Sequence, residues 1–160
     1  MTVHPQTRIG HVHLTVGNLE RSLKFYRDLL GFEVTSWYGD SAVFLSAGGY
    51  HHYIGLNTWA GEGATPPPPG HTGLYHFAIL FPNRRELAKT VRKLIESGYS
   101  IDGASDHGVS EAVYLRDPDG NGVELYADRP REQWPRDGKA NLKMQTRPLD
   151  LDGLLSELEK

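Results

Sequence analysis

Two histidines and one glutamate have the types and positions to bind one divalent metal ion. His11 begins the segment HVHLTV, His76 begins HFAILF, and Glu124 lies within GVELYA. Side chains along a strand alternate between two faces, so we expect His11 and His13 on one face and the apolar residues on the other, against a helix. Two imidazoles and one carboxylate that leave coordination positions open are suited to non-haem Fe(II).

Each candidate ligand also has an ordinary structural explanation. A single histidine on a strand is more often a core or surface residue than a ligand, and Glu124 could face water on an edge strand. Two features favour the metal site: the histidines are related by a repeat, and an acid within an apolar strand is costly to bury unless it is paired or metal-bound. The matching segment of the first half, IGLN, has no carboxylate, so three protein ligands would leave open positions.

The two histidines occupy equivalent positions in an internal repeat. Each copy reads as a short alternating strand that runs directly into a helix with one apolar stripe. Asn18 and Asn83 stand where an N-cap side chain is needed, and Gly31 and Gly98 stand where the helices should end. The repeat is GHVHLTVGNLERSLKFYRDLLGF in its first copy and YHFAILFPNRRELAKTVRKLIESGY in its second.

Segments with strand composition follow each helix, so each half is roughly βαβββ. The expected strands are 32–37, 41–46 and 50–58 in the first half, then 110–115 and 122–127 in the second. The fold class is therefore α+β with two βαβββ repeats. We expect one domain over 8–128, comprising repeat one 8–59, a proline-rich linker 60–73 and repeat two 74–128, followed by a C-terminal tail 129–160 with a short helix.

Composition restricts the chemistry and the partners. The chain has no cysteine, which excludes disulfides and thiolate ligands and leaves histidine and carboxylate for a metal. Seventeen basic and 20 acidic residues give a charge of -3, with no basic cluster for a nucleic acid. There is no secretion signal and no apolar run of the ~20 residues that a membrane span needs. We expect a cytoplasmic protein with no nucleic-acid or membrane partner.

The sequence leaves the oligomeric state open. The protein could form a homo-oligomer, and the tail could pack on its own domain or on a second subunit.

Over residues 9–134 the sequence resembles the vicinal oxygen chelate superfamily. This superfamily includes glyoxalase I, fosfomycin-resistance enzymes, bleomycin-binding proteins and extradiol ring-cleaving dioxygenases. The resemblance is carried by the strand-helix pattern with its leading His11, by His76, and by RDPDGNGVELYADRP around Glu124. It implies that the two repeats form a cup and that these three residues hold the metal.

Three further features resemble the catechol 2,3-dioxygenase branch: His51 and His52 in YHHYIGLN, the segment HGVS that starts at His107, and Tyr114 ahead of Glu124. The resemblance implies an extradiol dioxygenase that uses molecular oxygen and a small aromatic diol. His52 would be the acid-base residue, because neighbouring strand residues face opposite ways and only one of the pair can face the cup. His107 would hydrogen-bond the reacting oxygen, and Tyr114 would hold a catecholate oxygen.

Two other functions remain open from sequence. One is a thiol transferase or lyase of the glyoxalase and fosfomycin-resistance kind. It would use the same ligands with Mn(II), Zn(II) or Ni(II) in place of Fe(II), but it leaves YHHYIGLN and HGVS unexplained. The other is a small-molecule-binding resistance protein without catalysis.

Overall fold

Each half of the chain folds as a strand, a helix and three further strands. The computed structural model describes residues 2–160, which form two units, one ending at Pro69 and one beginning at Gly70. The α+β class and the two βαβββ repeats are therefore confirmed. No helix among these residues has the length and apolar character needed to cross a membrane.

The first unit contains one four-stranded sheet. Its order is β1-β4-β3-β2, in which β1 pairs parallel with β4 and the other pairs are antiparallel. The helix α1 continues directly into a π-helical stretch over Lys24–Leu29. The elements are β1 (Val12–Thr15), α1 (Leu19–Leu23), β2 (Glu33–Tyr38), β3 (Ala42–Ser46) and β4 (Ile54–Asn57).

The second unit repeats this topology and adds one strand at the sheet edge. Its order is β5-β8-β7-β6-β9, and β5 pairs parallel with β8 as β1 does with β4. Short 3-10 turns cover Arg131–Gln133 and Ser156–Leu158. The elements are β5 (Phe77–Phe81), α2 (Arg84–Glu96), β6 (Gly103–Asp106), β7 (Ser110–Arg116), β8 (Gly122–Asp128), β9 (Arg147–Pro148) and α3 (Leu151–Leu155).

Local sequence signals set the ends of the helices as predicted. The side chain of Asn18 accepts from the Arg21 N–H at 2.8 Å, and that of Asn83 accepts from the Glu86 N–H at 2.9 Å. These bonds satisfy donors that the first helical turn leaves free. Gly31 and Gly98 follow the helical segments with φ of 90° and 69°, a conformation that glycine adopts without a Cβ penalty.

The strand expected over 50–58 is shorter in the structure, and this changes the argument for two histidines. Only Ile54–Asn57 forms β4, while His51 and His52 lie in a bend ahead of it. Strand alternation therefore does not decide which of the two faces the site, and that part of the prediction is wrong.

The C-terminal tail packs on the second unit of its own chain. α3 packs against α2 with Leu154 fully buried, and β9 pairs antiparallel with β6. The side chain of Arg84, on α2, donates to the Gly153 carbonyl at 2.9 Å. In this structure the tail thus packs on its own domain, one of the two arrangements that the sequence left open.

A buried carboxylate joins α2, the sheet and the end of β8. The Glu111 side chain, 7% exposed, accepts from Arg84 at 2.5 Å and from Arg129 at 2.7 Å. Arg129 also contacts Asp106 at 3.0 Å. Burial alone would raise the pKa of Asp106, but the N–H of Gly108 and the charge of Arg129 outweigh it and lower that pKa.

We expect Glu111→Gln to lower the free energy of unfolding by about 2 kcal/mol, since two guanidinium groups lose a charged acceptor in a buried position. Chemical denaturation at neutral pH measures the change. The matched control is Glu132→Gln on an exposed position, which should change stability by less than about 0.5 kcal/mol. Equal stability of the two variants would contradict a stabilising role for this network.

Candidate active site

His76 and Glu124 meet because β5 and β8 run parallel. Phe77 pairs with Val123 and Ala78 with Glu124, so His76, just ahead of β5, lies beside the start of β8. The His76 Nε2 and Glu124 Oε2 atoms are 3.0 Å apart, and the Glu124 side chain is only 13% exposed. The structure thus brings together two of the three predicted ligands.

Gly122 permits this close approach of the two strands. A Cβ at this position would fall on the Tyr75 carbonyl oxygen and 2.9 Å from the His76 Cβ. Any side chain would therefore push His76 away from β8. The sequence analysis missed this role, and the available signal was a glycine two residues before Glu124, at the start of β8.

Tyr114 and His107 extend the pair into a hydrogen-bonded row. Tyr114 lies directly opposite Glu124 across β7 and β8, so both side chains share one face of the sheet. The Tyr114 hydroxyl lies 3.2 Å from Glu124 Oε1 and 2.6 Å from His107 Nε2. Burial, followed by the negative charge of Glu124, raises the pKa of Tyr114 to about 12. We define the polar row as His107, Tyr114, Glu124 and His76.

His11 and His52 are neighbours in the first unit. Their ring centroids are 4.5 Å apart, and His52 also packs against Phe44 at 5.0 Å. Burial lowers the pKa of His52, and the nearby His11 and His51 lower it further. His51 is exposed and its ring lies 4.1 Å from that of Tyr50. The two histidines thus differ in their surroundings, and the choice of His52 as the acid-base residue stays a prediction.

In the first unit Gly55 stands where the second has Glu124, and the His13 ring fills the space above it. His13 pairs with Gly55 in β4, and the repeat-related pair in the second unit is Ala78 with Glu124. A Cβ on Gly55 would lie 2.9 Å from the His13 ring. That ring also contacts Phe44 at 5.7 Å and Trp59 at 5.4 Å. The first unit thus has an aromatic face at the position where the second has an acid, and sequence reasoning did not identify Phe44 or Trp59.

His76 and Glu124 offer a nitrogen and an oxygen, donor atoms of the types that bind divalent metal ions. An imidazole nitrogen and a carboxylate oxygen that approach within 3.0 Å can both be ligands of one such ion. His11 belongs to the first unit and the other two predicted ligands to the second. In neither unit do residues 2–160 assemble three or more His, Cys, Asp or Glu side chains around one point, and the full triad stays a prediction.

The chain is similar in sequence to two ring-cleaving enzymes. It is 47% identical over 156 residues to catechol-2,3-dioxygenase of Bacillus subtilis (strain 168), covering 98% of this chain and 54% of that protein. It is 34% identical over 128 residues to biphenyl-2,3-diol 1,2-dioxygenase 3 of Rhodococcus globerulus, covering 80% of this chain and 66% of that protein. The chain thus spans between half and two-thirds of the length of these relatives.

The fold is similar to that of a glyoxalase/dioxygenase from Nostoc punctiforme. The TM-score is 0.66 at 20% identity, over 81% of this chain and 98% of that one, which is evidence for the fold alone. The family model described as the Glyoxalase/Bleomycin resistance protein/Dioxygenase superfamily matches residues 8–125, a range that includes nearly all of both repeats and every residue of the polar row. The chain therefore belongs to the glyoxalase/bleomycin resistance protein/dioxygenase superfamily.

Proposed function

We propose that this protein is a metal-dependent extradiol dioxygenase that opens the ring of a catechol-like aromatic diol with molecular oxygen. The observation that carries the proposal is the polar row, in which a tyrosine and a histidine lie next to a carboxylate and imidazole pair. A ligand pair alone would suit any metal enzyme of the superfamily. Hydrogen-bonding groups beside it suit a substrate that binds through two hydroxyl oxygens.

His11, His76 and Glu124 would hold the ion, which we propose to be Fe(II), with Mn(II), Zn(II) and Ni(II) as alternatives. Imidazole and carboxylate ligands with open positions suit non-haem Fe(II). When bound, such an ion would hold both diol oxygens and lower their pKa.

The side chains around the metal ligands would orient the diol and accept its protons. His52 would take a proton from the diol and later return it, because an imidazole titrates near neutral pH. Its Nδ1 lies 2.8 Å from Nδ1 of His51, which leaves Nε2 for this transfer. The Tyr114 hydroxyl would hydrogen-bond a diol oxygen. The aromatic face formed by Phe44, Trp59 and His13 offers stacking contacts to a planar ring.

One divalent ion per chain should be lost when Glu124 is changed to Ala, because the carboxylate is the only anionic ligand in the proposed set. Elemental analysis of protein purified without a His-tag measures the occupancy. Glu132→Ala, on an exposed position, is the matched control and should keep the metal. Full metal occupancy in the Glu124→Ala variant would show that His11, His76 and Glu124 are not the metal ligands.

His52→Phe should keep the metal and reduce kcat by about 10²- to 10⁴-fold, the usual effect of losing general acid-base catalysis. His51→Phe should have a much smaller effect, because His51 is exposed and packs on Tyr50. Steady-state kinetics on both variants at equal metal content make the comparison. If His51→Phe is the slower enzyme, the assignment of the base is wrong.

The reaction itself can be tested by anaerobic reconstitution with Fe(II), addition of a panel of substituted catechols, and admission of air. We expect the yellow muconic semialdehyde product and oxygen uptake stoichiometric with diol loss, because both oxygen atoms enter the product. Absorbance and an oxygen electrode record the two quantities together.

A thiol transferase or lyase would give a different pattern. It would consume no oxygen, and it would turn over a hemithioacetal, or an epoxide together with a thiol, using Mn(II), Zn(II) or Ni(II). Thiol-dependent turnover together with inactivity on every catechol by the fully Fe(II)-loaded protein would exclude the dioxygenase proposal.

A further inference from the structure

Residues of the C-terminal tail contact His107 through the backbone. The Gln145 carbonyl oxygen lies 2.8 Å from His107 Nδ1, and the Gln145 N–H donates to the His107 carbonyl at 3.2 Å. Both backbone polar groups of Gln145 therefore contact one histidine of the polar row.

The first of these contacts determines where the imidazole carries its proton. A carbonyl oxygen can only accept a hydrogen bond, so His107 Nδ1 must be the donor. In a neutral imidazole the other nitrogen, Nε2, is then an acceptor. Nε2 is the atom that lies 2.6 Å from the Tyr114 hydroxyl.

We propose that the Gln145 carbonyl is a positioning group for the active site, which fixes His107 in the Nδ1–H tautomer. Only the expected effect of Gln145 on turnover rests on the proposed function. The tautomer itself depends on hydrogen bonds within the second unit and can be measured separately.

The tautomer of His107 sets the direction of the Tyr114 hydroxyl proton. That proton has two acceptors, His107 Nε2 at 2.6 Å and Glu124 Oε1 at 3.2 Å. With Nε2 as acceptor, Tyr114 donates to His107 and leaves the Glu124 oxygen free to act as a ligand. With the opposite tautomer, Nε2–H would donate to the phenol oxygen, and the Tyr114 proton would turn to Glu124. The tail thus controls a hydrogen bond on the carboxylate through two intervening side chains.

The fold holds Gln145 in this position from both sides. After it, Arg147–Pro148 form β9 on the edge of β6. Before it, the Lys143 N–H donates to the Pro135 carbonyl at 2.8 Å. Next to His107, Gly108 has φ of 75°, and a Cβ there would lie 2.9 Å from the Gln145 side-chain nitrogen and 3.0 Å from Pro135. The glycine of the HGVS segment therefore makes room for the tail.

The carbonyl can be weakened without changing any side chain. Incorporation of the α-hydroxy analogue of threonine at position 146 converts the peptide bond after Gln145 into an ester, whose carbonyl is a poorer acceptor. The matched control is the α-hydroxy analogue of methionine at position 144, which places the same ester at a bond that makes none of the His107 contacts described above.

Two measurements decide the proposal. Long-range ¹H–¹⁵N NMR of metal-free protein labelled with ¹⁵N-histidine should report the Nδ1–H tautomer in the unmodified chain and in the control, and an increased Nε2–H fraction in the 146 ester. In the Fe(II)-loaded protein, kcat of the 146 ester should fall about 3- to 10-fold relative to the control, which corresponds to the loss of one ordinary hydrogen bond, with KM for the diol little changed.

The outcomes separate this proposal from the proposed function. An Nε2–H tautomer in the unmodified chain, or identical His107 spectra for the two esters, would overturn it. A changed tautomer with equal kcat in the two esters would overturn the positioning role. If no catechol is turned over, the dioxygenase proposal fails, and the NMR comparison alone decides whether Gln145 fixes the tautomer of His107.

Discussion

The parallel pairing of β5 with β8 is the constraint on which the candidate site depends. Parallel neighbours cannot be joined by a tight turn, so a longer connection has to link β5 to β8. Here that connection consists of α2, β6 and β7. β7 pairs with β8 and places Tyr114 opposite Glu124. The register places Glu124 on one face of β8 and the buried Val123 and Leu125 on the other. A slip of one residue would turn the carboxylate into the apolar core and a leucine or valine into the site. Fold and site are thus specified by the same strand pair.

The two repeats show how one backbone arrangement can support different surfaces. The first unit has the same parallel pair, with a histidine ahead of its first strand, but Gly55 stands where the second unit has Glu124. The His13 ring fills the space above that glycine. One repeat therefore carries an acid with hydrogen-bonding partners and the other a histidine among aromatic rings.

Features set by neighbouring residues could be predicted from the sequence, and those set by distant residues could not. The caps at Asn18 and Asn83 depend on a few adjacent positions, and the repeat is visible directly. The strands β6 and β9 were missed because GASD and RP have little strand propensity and pair only in the tertiary context. The role of Gly122 was missed for the same reason, because the Tyr75 backbone that it contacts is far away in the sequence. The bend at His51 and His52 was misread as strand because its composition continues that of β4.

The short strand β9 also covers the outer edge of β6. An open strand edge presents free N–H and C=O groups that can pair with another sheet, a common origin of aggregation. The family match ends at residue 125, within β8 and well before β9. A chain shortened to that match would keep the residues of the polar row but lose the strand that covers β6 and the Gln145 contacts to His107. Such a fragment would expose the edge of β6 to pairing between molecules, so we expect it to be less soluble than the full chain.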